Sequence, residues 1–459
     1  MLVLLTAILL VGVAAWASRR PFRTAVPAYA FLVPIGGVVS LSVPLPSPFN
    51  TMSSLAGALA IGAAGLCVLR GPRRRIPTLP VALWLMFTAW CALTFLWAND
   101  PSLVASELTI AIPLLMLVVL VAMIPATRAD LEFVRDAVVA SGIAVGAWAA
   151  VLTVKGGAYQ VHALSSRFSL SNAHSDPNQL AATLLLPLAL SIDLSLTGQK
   201  PGAPWWRVAL GPVGAVMSAF AIVLSGSRGG SLAAVVTVIA TLVLFSRRRP
   251  WQRYRVRQAL RGTASAILVL VVIGAVFVAL FPSSRLATVF SAAPVQRLFD
   301  TQSSSGRAEI WTTGALACER YCVGGVGMGN FPIAYEQAVA FSNVTRNVGT
   351  VRPAHDLYLE IGVETGVLGL VLFWLAIFAE WRTIRLRGGF PVAAGLAATL
   401  IGFLLADVFE GFLWFKHAWL PFLLIRVLES AADGEAESER EVEAAAEIQG
   451  LVEPEVAAT

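Results

Sequence analysis

The sequence predicts an all-α, polytopic membrane protein with one large loop outside the membrane. Three observations favour this class. The 459-residue chain is 57% hydrophobic and only 13% charged, and its mean hydropathy is +0.76, values far from those of a soluble domain of this length. Apolar runs of roughly twenty residues, the length that spans a bilayer, recur along the chain. One long stretch, residues 282–356, breaks this pattern with mixed polar sequence.

The apolar runs predict about 12–13 transmembrane helices. Proline, Asp407 or Lys416 interrupts or borders three of the runs, so the count is a range. The first run has neither a basic start nor a small-residue cleavage site, and we expect a retained span there and not a signal peptide. The runs lie near 1–18, 25–43, 52–69, 77–98, 103–124, 135–154, 179–197, 207–225, 229–246, 263–282, 357–380, 391–409 and 412–428.

These runs divide the chain into four segments. The first ten helices form a membrane domain over residues 1–281, and the last helices complete it over 357–428. Between them lies the extracytoplasmic loop, 282–356, which we expect to fold as short helices over the membrane domain. Residues 429–459 are rich in glutamate and have little to bury, so an acidic, disordered cytoplasmic tail is predicted.

The basic residues predict which helix ends face the cytoplasm. If the loops after odd-numbered runs are cytoplasmic, they hold 22 of the 33 Lys and Arg residues. Because cytoplasmic loops carry an excess of these residues, the large loop is predicted to lie outside. This placement accounts for the net charge of +6 without a nucleic-acid partner, which would need a basic face on a domain.

The four cysteines form two groups. Cys67 and Cys91 lie in apolar runs and are expected to pack there. Cys318 and Cys322, four residues apart in the outer loop, lie where oxidation can occur, so they form either a local disulfide or two free thiols. No histidine pair lies near them, so zinc ligation is not expected.

Arg228 lies in a glycine-rich break, residues 225–230, between the eighth and ninth runs. An arginine at the bilayer centre costs about 2.5–3.5 kcal/mol on insertion scales, so its place at this turn needs a reason. A snorkelling arginine that only sets topology is the structural alternative, but the positive-inside rule would put it on the other face. We therefore favour anion binding.

A second outward arginine, Arg307, opens a predicted helix that runs through Cys318. The helix dipole favours an anion in this first turn, and a salt bridge to a nearby carboxylate is the alternative. Trp311 belongs to an apolar face expected to pack on the membrane domain. The glycine-rich turn at 325–329 predicts a close backbone approach and not a dinucleotide site, because the loop is too short for a βαβ unit.

His355 lies where the chain re-enters the membrane, just before the eleventh run. Histidine is the side chain most often used as a general base, and two arginines on the same predicted face favour this role over a structural one. Asp356 is a candidate to orient the imidazole. Glu360 and Glu364 share a helical face that could pair with arginine.

A further outward element precedes the seventh run. It consists of Arg167 and the sequence Asp176-Pro177-Asn178. A capped helix start after a proline turn is the structural alternative. The functional hypothesis gives Arg167 and Asn178 supporting roles at the site.

Taken in order, these pieces resemble the superfamily of O-antigen ligases and O-antigen polymerases, which are polytopic bacterial membrane glycosyltransferases. They lie within about residues 165–370 and on one predicted face. The chain departs from many relatives at Asp356, where they carry asparagine, and in an extra amino-terminal run. The matching pieces are Ser227-Arg228-Gly229, Gly306-Arg307 through Trp311, the glycines of the turn at 325–329, His355 with Glu364 and Gly366 after it, and the weaker Asp176-Pro177-Asn178.

The resemblance implies a GT-C-like fold and a donor glycan carried on a polyprenyl diphosphate, such as the undecaprenyl diphosphate of lipopolysaccharide biosynthesis. The acceptor would be a hydroxyl of a glycolipid or glycan on the outer face of the bacterial cytoplasmic (inner) membrane, where the cell envelope is assembled. Chemistry then assigns His355 as general base and Arg228 and Arg307 as diphosphate ligands. The outer loops show no carboxylate cluster with metal geometry, so we expect an inverting, metal-independent reaction without a cofactor.

Two other functions stay open at this point. A polysaccharide polymerase of the same superfamily would differ in its acceptor, which would be another lipid-linked glycan. A transporter or lipid flippase would also combine many spans with interfacial arginines. Paired half-repeats and broken midplane helices are typical of transporters, and the sequence shows no internal repeat.

Overall fold

The computed structural model describes residues 11–36, 51–74, 78–155, 159–162, 165–168, 176–197, 204–248, 307–340, 353–411 and 413–456. These residues are almost entirely helical, which confirms the predicted all-α class. A small antiparallel hairpin, β1 (Tyr159–His162) and β2 (Ser165–Phe168), is the exception among them. The helices, α1 to α14 in chain order, are Ala25–Gly36, Met52–Arg70, Thr78–Leu93, Pro101–Ala122, Arg128–Lys155, Pro177–Thr183, Leu185–Thr197, Trp205–Ser225, Arg228–Arg248, Arg307–Tyr321, Phe331–Val339, Leu357–Leu386, Ala393–Ala406 and Lys416–Val456.

Eight of the described helical segments are long and apolar enough to cross a membrane, so the chain is a multi-pass membrane protein. They are α2, α3 with its extension to Leu96, α4, α5, α6 joined to α7, α8, α9 and α12. The shorter apolar helices α1 and α13 cover the predicted second and twelfth runs, and the start of α14 covers the thirteenth. The tenth predicted run, 263–282, lies outside the described residues, as does most of the first.

Aspartate side chains cap three helices that start at the same end of the bundle. Asp100 caps α4, Asp176 caps α6 and Asp356 caps α12, each by accepting a backbone N–H of the first turn at 2.6–2.9 Å. Aspartate is favoured at this position because its oxygen satisfies an N–H that has no partner within the helix. These caps fix where the three helices begin.

Helix α12 connects the two ends of the bundle. It runs from Leu357, beside His355, to Leu386, beside Arg387. Gly366 interrupts it with a φ of 72°, and the 20 residues after this break, 367–386, span about 30 Å, the hydrocarbon thickness of a bilayer. We name the end with His355 the site end and the end with Arg387 the arginine-rich end.

Ion pairs join the loops at the arginine-rich end. Arg74, after α2, and Arg387, after α12, both bind Asp433 of α14. Arg23 pairs with Asp130 at the start of α5, at 2.8 Å. The loops around Arg23, Arg74 and Arg387, which the sequence predicts to be cytoplasmic, therefore lie together at one end of the bundle.

Helix α14 extends far beyond the thirteenth predicted run. The sequence predicts disorder for residues 429–459, whereas the structure describes one helix from Lys416 to Val456. Alanine and glutamate, which dominate this segment, have high helix propensity. Extending a helix that already exists also avoids the cost of nucleation. Ser430 anchors the segment, because its Oγ donates to the Ile124 carbonyl oxygen at 3.0 Å.

The described part of the 282–356 loop packs on the start of α12. Helices α10 and α11 lie against each other and against α12, as expected for short helices over the membrane domain. A Cβ on Gly314 of α10 would come within 2.5 Å of the Leu359 side chain, so the two helices cross closely there. A disulfide joins Cys318 and Cys322 at the end of α10, which confirms the first of the two predicted states.

Candidate active site

His355 lies between Pro353 and the first turn of α12, at the site end. Its backbone φ of 50° is in the left-handed region, which residues other than glycine enter rarely. The imidazole Nδ1 is 2.6 Å from Oε1 of Glu410, and the two side chains are 27% and 14% exposed. A partly buried imidazole held by a carboxylate is an arrangement that general-base sites use.

Glu410 also contacts Asn178, at the start of α6. The Asn178 Nδ2 donates to Oε2 of Glu410 at 3.2 Å, and its Oδ1 accepts a hydrogen bond from Ser227 Oγ at 2.7 Å. The Asn178 and Ser227 side chains are both buried. A continuous chain of hydrogen bonds thus joins four residues: His355, Glu410, Asn178 and Ser227. We name these four residues the site network.

Arg228 follows directly on the last member of the site network. Gly226 ends α8 with a left-handed φ of 65°, and the Ser227 Oγ accepts the Gly230 N–H at 3.0 Å at the start of α9. Arg228 is the first residue of α9 and is half-buried. The tight turn that the sequence predicts is therefore present, and it links the arginine to the site network.

A turn after α13 brings Glu410 to its position. The Asp407 carbonyl oxygen in this turn accepts the Leu357 N–H at 2.8 Å. Phe409 packs on Gly229, where a Cβ would lie 2.8 Å from the ring. The turn is thus held between the start of α12 and the start of α9, which is why Glu410 reaches both His355 and Asn178.

Sequence reasoning missed Glu410. It treated Asp407 only as an interruption of the twelfth run and gave Glu410 no role. Glu410 lies in the short gap between the twelfth and thirteenth runs, and an ionisable residue among membrane segments is a candidate functional residue; this was the signal that could have found it. The contact itself was out of reach, because 55 residues separate His355 from Glu410.

Helix α10 carries the second arginine at its start. Arg307 is the first residue of α10, as the sequence predicts, and α10 lies over the first turns of α12. Trp311 packs beside a buried apolar cluster that includes Ile310 and Phe331. The side chains of Arg307 and of Arg167, on β2, lie outside the described residues.

The glycine-rich turn at 325–329 docks on a break in α12. Two of its N–H groups donate to the carbonyl oxygens of Val363 and Glu364, each at 2.9 Å. Its alternate glycines all have positive φ. The Glu364 side chain accepts the Phe331 N–H at 3.1 Å, and so holds the 282–356 loop on α12. The predicted close backbone approach is confirmed, and the neighbour is the helix that begins beside His355.

Gly325→Ala is expected to destabilise the protein. Gly325 has a φ of 79°, and a Cβ there would overlap the carbonyl oxygen of Glu364. A residue forced into such backbone costs about 1–3 kcal/mol, so the melting temperature in detergent should fall. Gly324→Ala is the matched control, because its Cβ would meet open space. An equal melting temperature for the two variants would show that the turn does not require glycine at 325.

The structure gives Asp356 and Glu360 neighbours that the sequence does not reveal. Asp356 caps α12, and the partner of the imidazole is Glu410. Burial raises the pKa of the Asp356 carboxyl above its usual value, although backbone N–H groups of the first turn of α12 oppose this rise. Glu360 lies against Gly411. In the part of the chain that the structure describes, the ion pairs of the arginines do not include Glu360 or Glu364.

The fold and the site define a multi-pass membrane protein with a hydrogen-bonded acid–base network at one end of its helices. Residues 213–374 match the family model described as O-antigen ligase. This match confirms the predicted resemblance to the O-antigen ligase superfamily, whose members are glycosyltransferase-type enzymes. None of the curated proteins matches the chain.

The site network extends beyond the matched segment. Arg228, Arg307 and His355 lie within residues 213–374. Asn178 precedes this segment and Glu410 follows it, yet both are in direct contact with residues inside it. The complete candidate site is therefore assembled by the fold of the membrane domain.

Proposed function

We propose that the chain is a membrane glycosyltransferase of the O-antigen ligase type. It transfers a glycan from a polyprenyl-diphosphate carrier to an acceptor hydroxyl at the outer face of the bacterial cytoplasmic membrane. The observation that carries this proposal is the site network, which links a histidine base to the turn of Arg228 within a segment that matches the O-antigen ligase family.

The reaction forms one bond and breaks one bond. The oxygen of the acceptor hydroxyl attacks the anomeric carbon of the donor glycan, and the bond from that carbon to the phosphate oxygen breaks. The bonding pair leaves with the polyprenyl diphosphate, and the hydroxyl proton passes to His355 as general base. Attack opposite the leaving group inverts the anomeric configuration.

The leaving diphosphate needs positive charge. Arginine stays protonated and can bind two phosphate oxygens at once, so Arg228 and Arg307 are the proposed ligands. Arg307 also stands at the N-terminus of α10, where the helix dipole favours an anion. The described residues contain no group of three or more His, Cys, Asp or Glu placed to hold a metal ion. We propose a metal-independent reaction on these grounds together.

The outer face is proposed from the separation of the two ends. The site end holds His355 and the turn of Arg228, and the other end holds the ion-paired loops of Arg74 and Arg387. Because positively charged loops are retained in the cytoplasm, the site end is assigned to the outside.

Cysteine labelling tests this assignment. Ser304→Cys and Gln337→Cys, in the outer loop, should react with a membrane-impermeant maleimide in intact cells. Glu437→Cys, exposed on α14 beyond the arginine-rich end, should react only after the membrane is opened, and the parent chain gives the background. The reverse pattern would place the site in the cytoplasm and remove the proposed donor and acceptor.

The nature of the acceptor separates ligase from polymerase. A ligase attaches the glycan to a lipid-anchored core, whereas a polymerase attaches it to another lipid-linked glycan. The family that residues 213–374 match is described as O-antigen ligase, so the lipid-anchored core is the proposed acceptor. Supplying each acceptor alone to the purified chain distinguishes them, because only the correct one yields a product.

A further inference from the structure

Both carboxylate oxygens of Glu410 have a separate partner within the site network. Oε1 lies 2.6 Å from the Nδ1 of His355, and Oε2 accepts the Asn178 Nδ2 at 3.2 Å. A carboxylate held at both oxygens cannot rotate without losing a hydrogen bond. The side chain is also only 14% exposed, so water does not easily replace either partner. Glu410 therefore presents one oxygen in a fixed place to the imidazole.

We propose that Glu410 is the positioning residue for His355. This inference rests on the proposed function, in which His355 is the general base. A neutral imidazole carries one proton, on either of its two nitrogens, and the partner of one nitrogen decides which. Because the carboxylate accepts a hydrogen bond, it holds the proton on Nδ1. The Nε2 lone pair is then the atom that receives the proton of the acceptor hydroxyl.

The backbone of His355 makes such a partner necessary. Its φ of 50° lies in the left-handed region, and the residue sits between Pro353 and the start of α12, outside regular structure. At 27% exposure its ring is not enclosed by packing alone. Without Glu410 the ring is free to turn about the Cβ–Cγ bond, which places a carbon atom where each nitrogen was. The hydrogen bond thus selects one ring orientation as well as one tautomer.

Glu410 also balances charge during the step. When Nε2 accepts the hydroxyl proton, the imidazole becomes a cation beside the Glu410 carboxylate. The electron pair of the broken bond leaves on the diphosphate, and the proton later passes from Nε2 to water. No oxidant, reductant or other reactant is required.

Asn178 and Ser227 connect this pair to the turn of Arg228. Ser227 donates to Asn178, and Asn178 donates to Glu410, so the hydrogen bonds all point toward the carboxylate. The position of the base is thereby fixed relative to the start of α9, where the proposed phosphate ligand lies. This geometry explains how two segments far apart in sequence hold the base at a fixed position relative to the donor.

The test compares Glu410→Gln, Glu410→Asp and Glu336→Gln in the full chain, reconstituted in liposomes. A glutamine can turn its NH₂ toward Nδ1, which would leave the proton on Nε2 and block it as an acceptor. When an amide replaces the orienting carboxylate of a Ser-His-Asp triad, kcat falls by about 10⁴-fold. We expect Glu410→Gln to lower kcat by at least about tenfold, with the KM for the donor and the melting temperature unchanged. Glu410→Asp, which keeps the charge, should recover part of the rate.

Glu336→Gln is the matched control, because it makes the same chemical change at an exposed residue of α11 and should leave kcat unchanged. The double variant Glu410→Gln with His355→Ala gives an independent readout. Residues that act as a unit are not additive, so the double variant should be no slower than His355→Ala alone.

The outcomes separate this inference from the function on which it rests. A slow His355→Ala with a wild-type rate for Glu410→Gln would overturn the positioning role and leave the proposed function standing. So would a Glu410→Gln variant whose only change is a lower melting temperature or a raised donor KM. A wild-type rate for His355→Ala would overturn the base assignment, and the positioning role with it.

Discussion

His355→Ala is expected to slow glycan transfer by about 10²–10⁴-fold, the usual contribution of general-base catalysis. The variant should still bind the lipid-linked donor, because the diphosphate is held by arginines in the proposed site. The rate is measured with purified protein and a fluorescent donor, and binding of the same donor is measured separately.

Loss of rate without loss of donor binding supports the base assignment. His355 has a backbone φ in the left-handed region. The melting temperature of the His355→Ala variant should therefore be recorded beside its rate. A variant that folds and transfers at nearly the wild-type rate would rule out His355 as the base. Asp356 and Glu360 would then be the next candidates, since both lie near the start of α12.

Arg228→Ala and Arg307→Ala are each expected to abolish transfer at an unchanged protein level. Removing one preorganised group that stabilises developing negative charge typically costs about 10²–10³-fold in kcat. A lysine at either position should recover little activity, because it keeps the charge and loses the planar fork that binds two oxygens. Transfer in isolated membranes, normalised to the amount of protein, measures both effects.

Arg320→Ala is the matched control for Arg307, because Arg320 lies exposed near the opposite end of the same helix and stacks on Tyr321. It should transfer at the wild-type rate. Full activity of Arg228→Ala or Arg307→Ala would assign that arginine a structural role. Strong rescue by lysine would show that charge alone, and not bidentate binding, is needed.

The fold class could be predicted from the sequence because a membrane sets the length and the polarity of each helix that crosses it. Each span needs about twenty apolar residues, and the described helices follow these runs. Arg228 and His355 could also be found from the sequence, because Arg228 lies on the face where the positive-inside rule disfavours arginine and His355 is a titratable side chain at the predicted membrane surface. The glycine-rich turn at 325–329 was predictable as a close backbone approach, because glycine permits backbone that other residues rarely adopt, and each of its alternate glycines has a positive φ.

The rest of the site depends on contacts between distant parts of the chain. Asn178 and Glu410 are 232 residues apart, and no local pattern connects them. Asp356 follows His355 directly and was the natural candidate to orient the ring. Its side chain instead satisfies an N–H of α12, because an aspartate just before a helix is favoured as a cap. The tail beyond Leu428 shows a related effect, because a helix that already exists extends into it without the cost of nucleation.

The most direct test of the proposed function is a product analysis with the purified chain in liposomes. A polyprenyl-diphosphate-linked glycan is supplied with a glycolipid acceptor in the presence of a chelator, and both products are quantified by mass spectrometry. We predict equal amounts of glycosylated acceptor and free polyprenyl diphosphate, with the anomeric configuration inverted. Movement of the donor across the bilayer without a new glycosidic bond would indicate a transporter. Transfer that stops in chelator and returns with a divalent ion would contradict the metal-independent mechanism.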